Sequence, residues 1–223
     1  MQITRQTIDI MKNFSDINSS ILVQPGSELQ TIAAMKNILA KSEVTEDFGT
    51  KFAIYDLPEF LNLVTSPVFE GAELVFDSDS VRLQNGRSFA RYFYADETTI
   101  IAPTKTLDMP DPEITFELLK EDLVTTKNMA SIIQKPDLAV VSDGETISIS
   151  VLDKKDSTSN GFKTTVGEGN GVEYTMYFKI ENIKVLKGNY TVKISSKGIS
   201  HFTNNDIPLE YWIALEPDSV YGG

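Results

Sequence analysis

Inward-facing positions along this chain follow two periods, and the switching between them lays out its elements. From Thr4 to Ile17, residues Thr7, Ile10, Met11, Phe14 and Ile17 fall three and four apart, with Arg5, Asp9, Lys12 and Asp16 opposite. That spacing predicts an amphipathic helix. Ile21 to Val23 reads as a short strand, Pro25 and Gly26 as a turn, and Leu29, Thr31 and Ala33 as the next strand, followed by a third over 40–48. Phe52, Ile54 and Tyr55 suit a buried strand. Asp56 then offers an N-cap, Pro58 fits the first helical turn, and Leu57, Phe60, Leu61 and Val64 form the apolar stripe of a short helix. Strands follow at 73–76, 81–83 and 89–95, and Asn85-Gly86 marks a hairpin between the last two.

Residues 96–112 lose all periodicity and carry Pro103, Pro110 and Pro112, the composition of an extended connector. Beyond it a second amphipathic helix is predicted over 117–134, with Leu119, Leu123, Thr126, Ala130 and Ile133 inward and Lys120, Lys127, Ser131 and Gln134 outward. Leu138 to Val141, a turn at Asp143-Gly144, and Ile147, Ile149 and Val151 make a hairpin. A polar loop over 154–161, a strand over 162–166 and a glycine-rich turn at Gly167, Gly169 and Gly171 come next. Strands at 174–180, 190–195 and 211–215 finish the set.

The second half echoes the first. Phe52, Ile54, Leu57 and Phe60 match Phe178, Ile180, Ile183 and Leu186, each 126 positions on. Elsewhere the offset is shorter: Gly26 and Leu29 match Gly144 and Ile147 at 118, and Tyr92 and Ala95 match Tyr211 and Ala214 at 119. Extra loop residues around 154–171 account for the drift. Order and register together favour an internal duplication over two unrelated halves. The expected fold is therefore α+β, with two similar domains over 1–105 and 106–223, each an antiparallel sheet with two helices on one face. Such a chain has a free sheet edge at each end, and head-to-tail association through those edges closes a ring when the rotation is right.

Charge narrows the partners. The 223 residues carry 20 basic and 32 acidic side chains, a formal net charge of −12, which argues against a protein that coats nucleic acid along its whole surface. The predicted helices depart from that average. Residues 4–17 hold two charges of each sign and 117–135 three of each, so neutral helix faces are set on an acidic body. With no cysteine, disulfides, thiolate metal sites and cysteine nucleophiles are excluded, in keeping with a reducing cytoplasm. The early charges Arg5, Asp9 and Lys12 interrupt any signal-peptide core, and no apolar run reaches the roughly 20 residues of a membrane span.

Catalytic chemistry finds little support. His201 is the one histidine; it is expected in a polar loop, and no nucleophile-elbow motif accompanies it. Gly167, Gly169 and Gly171 precede a strand and are not followed by a Lys-Ser or Lys-Thr pair, so they read as a turn and not as a phosphate loop. Asp77 with Asp79, and Asp108 with Asp111, lack calcium-loop spacing and read as solvated turn carboxylates. Neither a metal nor another cofactor is expected.

Against this background the chain resembles the sliding clamps of T-even-type bacteriophages, which are DNA polymerase processivity factors. The resemblance lies in Lys12, Asn13 and Phe14 with Ile17 and Asn18; in Ala53 to Leu57 with Phe60 and Leu61; in Ala102 and Pro103; in Gly188, Asn189 and Tyr190; in Lys197 and Gly198; and in Ala214, Leu215 and Glu216 with Asp218 and Ser219. It runs end to end. It implies two DNA-clamp domains per chain, a homotrimeric ring around duplex DNA, helices lining the hole, and no catalysis. It further implies an ATP-dependent clamp loader, a DNA polymerase C-terminal peptide and late-transcription factors as partners, in the cytoplasm of the infected bacterial host.

On that reading Arg5 and Lys12, Lys120 and Lys127, and Lys184 and Lys187 are the DNA-facing candidates. A helix about 20 Å long outspans the major groove, about 12 Å wide, and so touches phosphates without reading bases. For each lysine a merely solvated helix face is the competing explanation. The resemblance also implies a partner-peptide pocket beside the connector, for which Ile100, Ile101, Leu107 and Met109 with the tail residues Val220 and Tyr221 are candidates; connector packing is the alternative. As whole-protein alternatives, a structural virion assembly protein and a carboxylate-site hydrolase remain open.

Overall fold

A computed structural model describes residues 1–104 and 107–222. The chain divides into two compact units, Met1–Thr106 and Leu107–Gly223. The domain boundary expected between 105 and 106 falls on residues outside the described set.

The first unit runs α1 (Arg5–Ile17), β1 (Ile21–Val23), β2 (Gly26–Ile32), β3 (Ile38–Phe48), β4 (Phe52–Ile54), α2 (Leu57–Val64), β5 (Glu73–Phe76), β6 (Ser80–Asn85) and β7 (Ser88–Phe93). All its strand pairs are antiparallel: β1 with β4, β2 with β3, and β5, β6 and β7 in a meander. The predicted stripe of α1 is the buried one, with Ile10, Met11 and Phe14 sealed against α2, β2 and β3. Asp56 caps α2 by accepting a 2.9 Å hydrogen bond from the Glu59 N–H, and Leu57, Phe60, Leu61 and Val64 are all buried. Phe52 centres an aromatic cluster, its ring 5.6 Å from Phe48, 4.9 Å from Phe76 and 5.3 Å from Tyr94. The Asn85-Gly86 hairpin forms as expected, with Asn85 opposite Ser88 and Gly86 at φ +57°.

The second unit runs β8 (Ile114–Leu118), α3 (Lys120–Ile133), β9 (Asp137–Asp143), β10 (Thr146–Leu152), β11 (Phe162–Glu168), β12 (Glu173–Lys179), β13 (Tyr190–Ser195), β14 (Ile199–Asn204), β15 (Leu209–Ala214) and β16 (Val220–Tyr221). Two antiparallel sheets result, in the orders β11-β10-β9-β12-β16 and β8-β13-β14-β15. Omitting β8 and β16, the elements repeat the order of the first unit. Pairing repeats too: β9 with β12 as β1 with β4, β10 with β11 as β2 with β3, and β13-β14-β15 as β5-β6-β7.

Four expectations need correction. Residues 114–118 form a strand and α3 starts at Lys120, because Ile114, Phe116 and Leu118 alternate with exposed Thr115 and Glu117 and pair with β13. Leu119, expected inward, is 47% exposed as the residue that leads into the helix. The copy of α2 is reduced to a single 3-10 turn, Ile180–Asn182. Where α2 has a capping Asp56 and Pro58, that turn has no side-chain cap, and Ile183 and Val185 behind it are β-branched. Finally, His201 lies in β14, a strand that periodicity did not reveal, where its ring stacks on Trp212 at 4.6 Å and its Nε2 is 2.7 Å from Glu210 Oε2.

Candidate nucleic-acid interface

Arg5 and Lys12 emerge from one side of α1, with Ile8 between them at helical spacing. Together with Ile3, Val64 and Glu70 they line one groove of the first unit. Arg5 Nε lies 3.5 Å from Asp9 Oδ1, but the Arg5 side chain is 82% exposed, so this pair restrains the guanidinium little. The helix beneath them is fixed more firmly. Buried Glu46 accepts 2.5 Å hydrogen bonds from the Thr4 N–H and the Thr7 hydroxyl, placing a carboxylate at the positive end of α1. Burial pushes the Glu46 carboxyl up, and the bonds from Thr4 and Thr7 outweigh it, leaving it below the ordinary glutamate value.

The second unit carries its candidates on α3 and on the 183–187 segment that contacts it. Leu119 makes no side-chain cap; instead Asn189, just ahead of β13, accepts a 2.9 Å hydrogen bond from the Lys120 N–H. This ties Lys120 to the loop that carries Lys187. One side of α3 also meets the 183–187 segment, where Lys127 Nζ donates to the Val185 carbonyl at 3.4 Å. Lys127 is half-buried by that contact, whereas Lys120 and Lys187 are exposed. The segment has no helix of its own to hold it. Two buried tyrosines do so: Tyr190 Oη donates to the Leu186 carbonyl at 2.7 Å, and the Leu186 N–H donates to Tyr211 Oη at 3.1 Å. Burial raises both phenols, Tyr190 to about 12 and Tyr211 further, so both stay neutral at physiological pH.

Lys120, Lys127, Lys184 and Lys187 are thus held on α3 and the segment lashed to it. Compact ammonium groups on flexible stems suit phosphate contact without base reading. Asn189, Tyr190, Tyr211 and Glu46 were not singled out as site residues by sequence reasoning. Asn189 and Tyr190 do stand among the residues that carry the clamp resemblance, which was the available signal.

The peptide-pocket candidates are placed separately. In the first unit Ile100 is buried behind the short turn Glu97–Thr99, and Ile101 is 47% exposed with its carbonyl accepting from Asn18 Nδ2 at 3.1 Å. In the second unit Leu107 and Met109 lie in the irregular segment before β8, and Val220 and Tyr221 form β16 on the edge of β12. The Tyr221 ring stacks on Tyr174 at 5.9 Å. Elsewhere, Asp77 is engaged by the Arg82 guanidinium, which holds its carboxyl below the usual range. Gly169 and Gly171 bond Glu145 and Gly144 backbone carbonyls at 2.6 and 2.9 Å, the turn-to-turn contact of a structural loop. Among the described residues no group of three or more His, Cys, Asp or Glu is arranged to hold a metal, and no helix is long and apolar enough to cross a membrane.

Two sheet-and-helix units of repeated order define the fold of a DNA sliding clamp. The PCNA of A. fulgidus, solved with the C-terminal region of FEN-1 bound, superimposes with a TM-score of 0.72 over 98% of each chain at 13% identity. The Helicobacter pylori beta clamp bound to a DNA ligase peptide does so with a TM-score of 0.65, over 99% of this chain and 67% of that one, at 15% identity. Within that class the sequence is more particular. A family profile described as gp45 sliding clamp, C terminal, matches residues 115–217. The sliding clamp of Vibrio phage KVP40 is 30% identical over 97% of this chain and 99% of its own length. The chain belongs to the bacteriophage sliding-clamp family, and it is a DNA sliding clamp serving polymerase processivity.

Proposed function

We propose that three copies of this chain close into a ring around duplex DNA, which slides through without sequence specificity, and that the ring tethers the polymerase while catalysing nothing. The observation that supports this reading is that α3 carries Lys120 and Lys127 and is hydrogen-bonded to the stretch that carries Lys184 and Lys187, while α1 carries Arg5 and Lys12, in a chain of net charge −12. Cations on the helices draw the phosphates in while the acidic body repels them elsewhere. Ring closure has support in the sheet edges: β7 is outermost in its sheet and exposes Phe89 and Phe93, 57% and 62% accessible, while β11 is an outermost strand of a sheet in the second unit.

An ATP-dependent clamp loader opens and places the ring. The polymerase C-terminal peptide docks by its apolar residues on the second unit at Leu107, Met109, Val220 and Tyr221, and late-transcription factors use the same ring, all in the cytoplasm of the infected bacterium. Replacing Lys184 and Lys187 together by Ala tests the DNA face. Processivity on primed DNA drops, with a shallower salt dependence of DNA association; wild-type processivity in that variant contradicts the assignment.

A further inference from the structure

The last residues of the second unit are fastened by a charge cluster that DNA encirclement does not use. After β15 the chain crosses to β12, where the Glu216 N–H donates to the Tyr177 carbonyl at 2.8 Å and Ser219 Oγ accepts from the Tyr177 N–H at 2.9 Å. Strand β16 pairs with β12 over two residues, Tyr174 with Tyr221 and Thr175 with Val220, and the Gly222 N–H reaches the Glu173 carbonyl at 3.0 Å. Two paired residues are a short strand, and a strand of that length on a sheet edge opens readily.

Lys154, at the start of the polar loop before β11, supplies the missing hold. Its Nζ lies 2.7 Å from Asp218 Oδ1 and 3.2 Å from Glu216 Oε2, both on the tail, and 5.3 Å from the centre of the Tyr177 ring. The Lys154 side chain is 12% exposed and Glu216 24%, so solvent screens that contact less than an ordinary surface pair, while the contact to Asp218, 54% exposed, is screened more. Behind it Lys179 joins buried Asp137 at 2.6 Å and stands 3.7 Å from Glu216, continuing the cluster into the sheet.

We infer that residues 216–222 form a latch, locked by Lys154 through Glu216 and Asp218, that covers the outer edge of β12 and fixes Val220 and Tyr221 when closed. Opening the latch bares the edge of β12 and frees both tail side chains. The regulatory consequence rests on the proposed docking of a partner peptide at Val220 and Tyr221, because a peptide meets a formed β16 only while the latch is shut.

Residue-resolved hydrogen exchange on the full-length protein tests the latch without any peptide, so its failure and the failure of peptide docking are distinguishable. In Lys154→Met, which keeps an apolar stem over Tyr177, the amides of Tyr177, Val220 and Gly222 exchange about tenfold faster while Val140 and Ile149 in the central strands keep their rates. Asp218→Asn, at a residue whose side chain is 54% exposed, gives a smaller change of the same sign and decides the matter if Lys154→Met folds poorly. Unchanged tail exchange in Asp218→Asn and Lys154→Met, or equal acceleration of tail and central strands, overturns the latch.

Discussion

The hydroxyl of Tyr190 donates to the carbonyl of Leu186 at 2.7 Å, and Tyr211 receives the N–H of the same residue, so a segment without helix or strand has both backbone groups of Leu186 satisfied from the core. Tyr190→Phe removes one of these partners without touching a charge. The carbonyl left unpaired costs about 1–3 kcal/mol, read as a lower urea midpoint. Amides of the 183–187 segment exchange faster, and DNA association weakens although every cation remains. Unaltered exchange across the segment would show that Tyr190 does not position it.

Glu46 anchors the start of α1 through Thr4 and Thr7, which flank the DNA candidate Arg5. Its carboxyl is held below the ordinary value of 4.5, so the ionised form is favoured by folding. The resulting stability is fully present above that value and is lost as pH falls through the depressed folded value. Glu46→Gln therefore destabilises by about 1–3 kcal/mol at pH 7, and the gap to wild type narrows below pH 4.5. A gap that stays constant down to acid unfolding would contradict this role for the charge.

Thr126 sits on the buried face of α3 with its hydroxyl unpaired, beside a small cavity walled by Leu123, Leu138, Ile149 and Phe178. Valine has nearly the same shape and no polar atom to desolvate. Thr126→Val is expected to raise stability by about 1–2 kcal/mol, with a higher melting temperature. A decrease would show that the hydroxyl has a partner such as buried water.

Gly169 lies against the β9–β10 turn so closely that an added Cβ would stand 2.3 Å from the Gly144 carbonyl oxygen. The obstacle is backbone, which cannot rotate away as a side chain would. Gly169→Ala is expected to cost about 1–3 kcal/mol, whereas Gly171→Ala meets no atom within 4 Å and is strained instead by φ +84°. Equal wild-type stability in Gly169→Ala would show that the two turns separate at little cost.

Local signals proved readable wherever they were dense. The α1 stripe, Asp56 with Pro58, and Asn85-Gly86 each contain their own reason for folding within a few residues, and each forms as expected. The echo of Phe52 in Phe178 also carried real information, since the two lie in β4 and β12, which hold matching places in the two units. What escaped depends on distant partners. Ile114 to Leu118 shares its apolar residues with a plausible helix start, and pairing with β13, more than 70 residues on, decides for strand. The cap of α3 comes from Asn189, and the hold on Leu186 from Tyr190 and Tyr211, contacts that no local spacing encodes. The lysines were legible as charges. Which of them the fold gathers was not.

Ring formation is the claim on which the account turns, and mass in solution joined to particle images tests it most directly. At micromolar concentration the expected result is a species about three times the 24.8 kDa chain, seen in projection as a closed ring with a central hole. A stable species of single-chain mass, or an open filament in place of a ring, would contradict it.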